Sequence, residues 1–306
     1  MEFAVATEEL TRKFGDFTAV DRLNLQIETG SVCGFLGPNG AGKSTAMRML
    51  CGILEPSSGS GQVLGFDLRR SSEQIKARLG YMSQKFSLYD ELNVLENLDF
   101  FAGLYSIPAR ERKTRIEEML EMAELGGLEA EPVFTLSPGH KQRLALGCAI
   151  ISRPSILFLD EPTSGVSPKS RRAFFNIIQE LAAQGSTVIV STHFMDEAER
   201  CDKIAFFNQG RLLAMDSPDQ LKNQVLEGLL VELEVPDPMG KISGLQSLDF
   251  VKECSIHGLL LHVLLKKESD LASLEAFIGA VPQPITPTLE DVFMALAKRK
   301  EQVMAE

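Results

Sequence analysis

The stretch GPNGAGKST, residues 37–45, carries the first chemistry legible in this chain. Gly37, Pro38, Asn39, Gly40, Ala41, Gly42, Lys43, Ser44 and Thr45 fit G-x-x-x-x-G-K-[ST], with an apolar strand pattern before and a helical one after. Glycines let successive backbone N–H groups curl around phosphate oxygens, and the start of the helix adds partial positive charge. Lys43 then reaches the β- and γ-phosphates of a nucleotide, and Ser44 ligates Mg2+. ILFLDEP, residues 156–162, is an apolar strand ending in two acids. Carboxylates are seldom buried unpaired, so that ending needs a reason. Beside a phosphate loop, Asp160 is expected to hold Mg2+ through water, and Glu161 to orient or deprotonate an attacking water. STHFMDEAE repeats the device: an apolar strand ends and His193 follows, placed to hydrogen-bond a γ-phosphate.

Positioning these groups takes a parallel sheet. Short apolar strands (SVCGFLG, LGYM, SILFLD, STVIVST, KIAFFN) alternate with helical segments, a pattern that implies strands covered on both faces. Alternating strands open the chain, in FAVATEEL and AVDRLNLQIE. Residues 93–153 read as a helical insertion. Beyond about residue 224 the texture changes to β-α-β-β-α-β, a small ferredoxin-like unit, and a last helix opening at Thr288 sets Leu289, Val292, Phe293 and Leu296 on one face.

Composition narrows the class. With 306 residues, 44% hydrophobic and 24% charged, the chain is an ordinary globular protein with room for a large domain and a smaller one. A net charge of -11 speaks against a general nucleic-acid surface, which needs excess Lys and Arg. The five cysteines are scattered without a C-x-x-C and sit in apolar runs, as reduced core residues of a cytosolic protein do. The four histidines show no metal-ligand spacing. The N-terminal residues lack the features of a signal peptide. No apolar run approaches the roughly 20 residues that cross a bilayer, so the chain is expected not to span a membrane.

In this order the motifs resemble those of the ATP-binding subunits of ABC transporters, over about residues 3–220. The resemblance implies an α/β fold: a P-loop NTPase (RecA-like) parallel-sheet core with an antiparallel β-subdomain and a helical subdomain at about 85–153. The ATPase domain is then residues 1–223, and residues 224–306 form an accessory α+β domain. Gln84 falls at the family's Q-loop, where it ligates Mg2+ and acts as lever between nucleotide and membrane partner. LSPGH, residues 136–140, falls at the signature motif and SGVS, residues 164–167, at the D-loop. His193 becomes the switch histidine and Glu161 the catalytic acid. Phe14 falls where an aromatic stacks on adenine, with Phe17 as the alternative. In the family, ATP is sandwiched between two subunits, the signature of one facing the γ-phosphate held by the other. Ser137 then reads as a helix N-cap, Pro138 as the first helical residue and Gly139 as the second, where a bare backbone approaches phosphate.

Departures from the family pattern fall at three positions. Pro138 stands where a second glycine is usual and His140 where glutamine is. The histidine leaves two readings, a tolerated substitution or an imidazole whose protonation beside a polyanion makes activity pH-dependent. Ser167 replaces the aspartate that ends the D-loop and keeps a capping role ahead of Pro168. The resemblance further implies ATP hydrolysis powering an export system of the type-2 (drug-export-like) kind, since PTLEDVFMALAKRK resembles the tails of such ATPases. It implies a separate membrane-spanning permease, a homodimer or paired ATPase subunit, and a place on the cytoplasmic face of the membrane. The stretch 84–91, with Phe86, Leu88 and Tyr89, either docks that permease or belongs to the helical core. A soluble ATPase remodelling ribosomes or nucleic acid is the other reading of these motifs; the acidic charge disfavours it.

Overall fold

Five-residue strands with every side chain buried set the architecture. VCGFL (Val32–Leu36) and ILFLD (Ile156–Asp160) are buried at each position, which requires cover on both faces. The computed structural model describes residues 2–84 and 88–305, and divides into two compact units, Met1–Leu212 and Leu213–Glu306. Across the first unit's main sheet the strand order is Arg211–Asp216, Lys203–Asn208, Val32–Leu36, Thr187–Thr192, Ile156–Asp160 and Leu79–Met82. The boundary between the units falls inside the first of these strands. From Lys203–Asn208 to Leu79–Met82 all neighbours pair in parallel.

Register places the site. Leu36 lies opposite Thr192, Asp160 opposite Ser191, and Met82 opposite Leu159. The residues that follow these strand ends therefore emerge side by side at the carboxyl edge of the sheet, where open parallel sheets bind ligands. A second, antiparallel sheet is built from Phe3–Phe14, Phe17–Glu28, Ser58–Val63 and Phe66–Asp67, and its first hairpin closes on a Phe14–Phe17 pair through Gly15 at φ +57°.

The helical insertion consists of Val94–Leu104, Ala109–Met122 and Pro138–Ile150. A reciprocal capping box opens it: Glu96 N–H donates to the Asn93 side chain at 2.8 Å, and Asn93 N–H to the Glu96 carboxylate at 2.8 Å. Leu98, Ala102, Ile116, Met119, Leu144 and Cys148 pack its interior. Leu88 packs against this core while Tyr89 stays exposed, edge-on to Phe100 at 4.5 Å; Phe86 lies outside the described residues. All five cysteines are free and buried, and burial pushes the Cys33 thiol up to about 12, so it behaves as core rather than as a nucleophile.

In the second unit the chain runs strand Leu229–Glu234, helix Pro238–Gln246, strands Val251–His257 and Leu260–Leu265, helix Leu271–Ile278 and strand Gln283–Pro284. Its antiparallel sheet is ordered Val251–His257, Leu260–Leu265, Leu229–Glu234, Gln283–Pro284, which is the expected β-α-β-β-α-β topology. A helix, Leu289–Ala305, closes the chain. No helix among the described residues is long and apolar enough to cross a membrane.

Candidate nucleotide-binding site

Gly42 is the N-cap of helix Lys43–Leu50 at φ +100°, and a Cβ there would stand 2.6 Å from the Ala19 carbonyl oxygen. Only glycine meets both conditions, so this turn, and the amides it exposes, depend on that residue. The loop surrounds a cavity of about 350 Å³ whose lining includes Asn39, Gly40, Lys43, Thr45, Gln84 and Glu161, with Phe17, Ala19, Ala41, Gly42 and Ser44. Lys43 Nζ donates to the carbonyls of Gly37 at 2.7 Å and Pro38 at 3.0 Å. Burial holds its ammonium below the usual lysine range, and the charges of Glu161 and Asp160 oppose that shift.

The two acids are positioned by neighbouring strands. Asp160 is 2% exposed, and its Oδ1 accepts from Ser44 Oγ at 2.8 Å and Ser191 Oγ at 2.7 Å. Ser191 Oγ in turn accepts from the Glu161 N–H at 2.9 Å. Glu161 sits at φ +48°, a region that non-glycine residues seldom occupy and that clusters at functional sites. Its Oε2 accepts from Gln84 Nε2 at 2.9 Å. Ser191 thus positions both acids, a role that the sequence reading missed. The available signal was its place opposite Asp160 near a strand end. Ser44 hydroxyl, Asp160 carboxylate and Gln84 amide oxygen form an all-oxygen donor set, the ligand chemistry that Mg2+ takes, so these residues fit that ion.

The helix that starts within LSPGH begins as its residues suggest. Ser137 accepts from the His140 N–H at 3.3 Å, Pro138 is the first helical residue, and Ser167 caps helix Pro168–Ala183 in the same way through Ser170. Gln142, fully buried, donates to the Pro162 carbonyl at 2.9 Å and ties this helix to the loop after Glu161. Ser137, Gly139, His193 and Phe14 are not among the cavity's lining residues. Ser137 and His193 are exposed, and Phe14 carries the Arg12 guanidinium 4.5 Å above its ring. Phe17, 66% exposed, is the aromatic on the cavity wall.

Behind His193 lies a buried cluster. Thr192 Oγ1 donates to Glu197 Oε2 at 2.6 Å, and Arg171 stacks on the Phe194 ring at 4.0 Å with Glu197 Oε1 3.9 Å away. Burial raises the Glu197 carboxyl above its usual range, against the Thr163 and Thr192 hydroxyls and the Arg171 charge.

The fold and this site define a P-loop nucleotide-binding protein. The family model described as "ABC transporter" matches residues 20–164. Nod factor export ATP-binding protein I of Paraburkholderia xenovorans (strain LB400) is 33% identical over 312 residues, taking in 98% of this chain and 99% of that protein. The chain belongs to the ABC transporter family. The probable multidrug ABC transporter ATP-binding protein YbhF of Escherichia coli (strain K12) is 47% identical over 255 residues, which make up 83% of this chain and 43% of that relative. The chain therefore spans less than half the length of YbhF. Among solved structures, the dimeric post-hydrolysis ATP-binding cassette MJ0796 bound to ADP and Pi superposes with a TM-score of 0.64 at 26% identity, covering 70% of this chain and 98% of that one.

Proposed function

We propose that this chain is the ATP-binding and hydrolysing subunit of an export system. It works through a separate membrane-spanning permease on the cytoplasmic face of the membrane, by ATP-driven closure of a dimer, with residues 1–223 as the ATPase domain and 224–306 as accessory domain. One observation carries this reading: Lys43, Ser44, Gln84 and Glu161 line one cavity at the sheet edge, with Asp160 bonded to Ser44 at 2.8 Å, Glu161 to Gln84 at 2.9 Å, and both acids tied by Ser191. The amides of residues 37–45 and Lys43 hold the negative charge of the phosphates. Glu161, kept in place by Ser191 and Gln84, takes the proton of the attacking water. Ser44 and Gln84, with Asp160 acting through water, would hold Mg2+, which would neutralise phosphate charge. Phe17 offers its ring to the adenine.

Dimer closure is supported by what a single copy leaves outside. Ser137 and Gly139, at a helix N-terminus whose partial positive charge suits an anion, do not line their own chain's cavity. A second copy brings its helix mouth to the triphosphate. The relatives named for multidrug and Nod factor export support the transport assignment, and the acidic net charge supports it over action on nucleic acid.

The test is Glu161→Gln. It keeps Mg-ATP binding, loses on the order of 10²- to 10⁴-fold in hydrolysis and elutes as a dimer in ATP. Turnover like that of the unaltered protein removes Glu161 as the base, and a variant that stays monomeric in saturating Mg-ATP removes closure.

A further inference from the structure

Sequence spacing shows no metal-ligand pattern among the histidines, yet the second unit assembles one from elements distant in the chain. Antiparallel pairing sets His262 opposite Ser255 on one side and Glu232 on the other, and His257 follows Ser255 by two residues on the same face. The first turn of the closing helix adds Glu290 and Asp291. Asp291 Oδ1 lies 2.8 Å from His262 Nδ1 and 3.1 Å from His257 Nε2. The imidazole rings stack with centroids 3.8 Å apart and planes 16° apart. We propose that His257, His262 and Asp291 bind one divalent transition-metal ion of the zinc type.

The outer atoms of these three groups are already committed. His262 Nε2 faces Glu232 Oε2 at 3.3 Å, and His257 Nδ1 faces Glu290 Oε2 at 3.7 Å. Asp291 Oδ2 accepts from the Thr288 N–H at 2.8 Å and hydroxyl at 2.7 Å. Carboxylates behind ligand histidines and donors behind a ligand carboxylate are the outer shell that metal sites require. With protons on the outer nitrogens, the inner nitrogens and Asp291 Oδ1 are three acceptors side by side, and both rings turn out of their stack to bring their in-plane lone pairs onto one ion. A single cation satisfies all three. Metal–ligand bonds of about 2.0–2.1 Å at 90–109° put ligand atoms roughly 2.8–3.4 Å apart; both nitrogen–carboxylate pairs have that spacing, and all three ligand atoms lie within 4.8 Å of one another. Ser255 Oγ, 3.2 Å from His257 Nε2, is a further oxygen beside the ligand set.

Size and chemistry restrict the occupant. The adjoining cavity, about 10 Å³, is bounded by His262, Asp291, Ser255 and Lys298, and is too small for an organic ligand. The neighbouring cation, Lys298, donates to the Cys254 carbonyl at 3.1 Å. Two imidazoles and a carboxylate suit Zn2+, Co2+ or Ni2+ over Mg2+ and Ca2+, which take oxygen sets. This site shares no residue with the nucleotide cavity, so it stands or falls apart from the ATPase reading.

The experiment titrates the full, tag-free chain, stripped with EDTA, with Zn2+ by calorimetry and with Co2+ by visible absorption. One equivalent binds, the thermal midpoint rises, and Co2+ gives a d–d band. His257→Asn, at a partly exposed position, abolishes the band while circular dichroism stays unchanged. Glu232→Gln, behind a ligand, weakens Zn2+ binding about 10- to 100-fold. A chain that takes up no ion, or one whose Co2+ band and Zn2+ affinity survive both His257→Asn and Asp291→Asn, overturns the proposal. The His–Asp–His cluster would then be held by protons alone.

Discussion

Phe14 and Phe17 stand opposite each other at the tip of one hairpin, and their identities alone do not choose between them as a base platform. Twist and neighbours do. Phe14 is covered by Arg12, whereas Phe17 lines the cavity beside Gly40. Base stacking on an aromatic is worth about 1–3 kcal/mol. Phe17→Ala is therefore expected to raise the Kd for ATP roughly 5- to 150-fold, while Phe14→Ala leaves it nearly unchanged. Binding of a fluorescent ATP analogue to each variant decides it, and the reverse order would return the role to Phe14. Ser191 makes a related point at the same scale. A serine within an apolar strand is unremarkable in sequence, and its hold on Asp160 and Glu161 follows from strand pairing that motif spacing does not encode.

Elements with a strong internal signal were legible: the phosphate loop with its flanking strand and helix, the Ser-Pro helix starts at 137 and 167, and the β-α-β-β-α-β order of the second unit. Ser58–Val63 was not, because SGSGQV reads as a loop. Its glycines are there for packing. A Cβ at Gly61 would stand 2.7 Å from Leu68 Cδ1, and Gly59, at φ +80°, presses on the Glu9 backbone. The cluster behind His193 was equally silent, since Glu197 looks like any acid of a short helix until it turns inward to Thr192. It makes a pH prediction. Glu197 titrates near 4.5 when unfolded and higher when folded, so in that interval the native state binds more protons. Stability then falls as pH rises from about 4.5 through the folded pKa, and the cost of the buried charge is constant above it. Glu197→Gln removes the titration. Its stability relative to the unaltered protein is expected to climb across that interval and then level off. Urea-unfolding midpoints for both proteins between about pH 4 and 8 test this, and parallel curves would mean that Glu197 titrates alike in the folded and unfolded chains.

At the scale of the whole molecule, the separation of Ser137 and Gly139 from their own chain's cavity has a consequence that mixing can read. If each site takes its loop from one chain and its helix mouth from another, two inactive variants can repair each other. Lys43→Ala removes the ammonium over the phosphates. Gly139→Asp places a carboxylate against the partner's triphosphate, yet it suits the fold, because an acid in a first helical turn is favourable and a Cβ there makes only an ordinary 3.4 Å contact with Ser170. Dimers of either variant alone contain no intact site. A mixed dimer contains one, formed by the Lys43 loop of the Gly139→Asp chain and the unaltered helix mouth of the Lys43→Ala chain. Random pairing of equal amounts makes about half the dimers mixed, so up to about a quarter of the unaltered site count returns. ATPase measured on the mixture after exchange in Mg-ATP should then exceed the sum of the separate variants. Were the site complete within one chain, mixing would restore nothing, since each chain would carry its own defect.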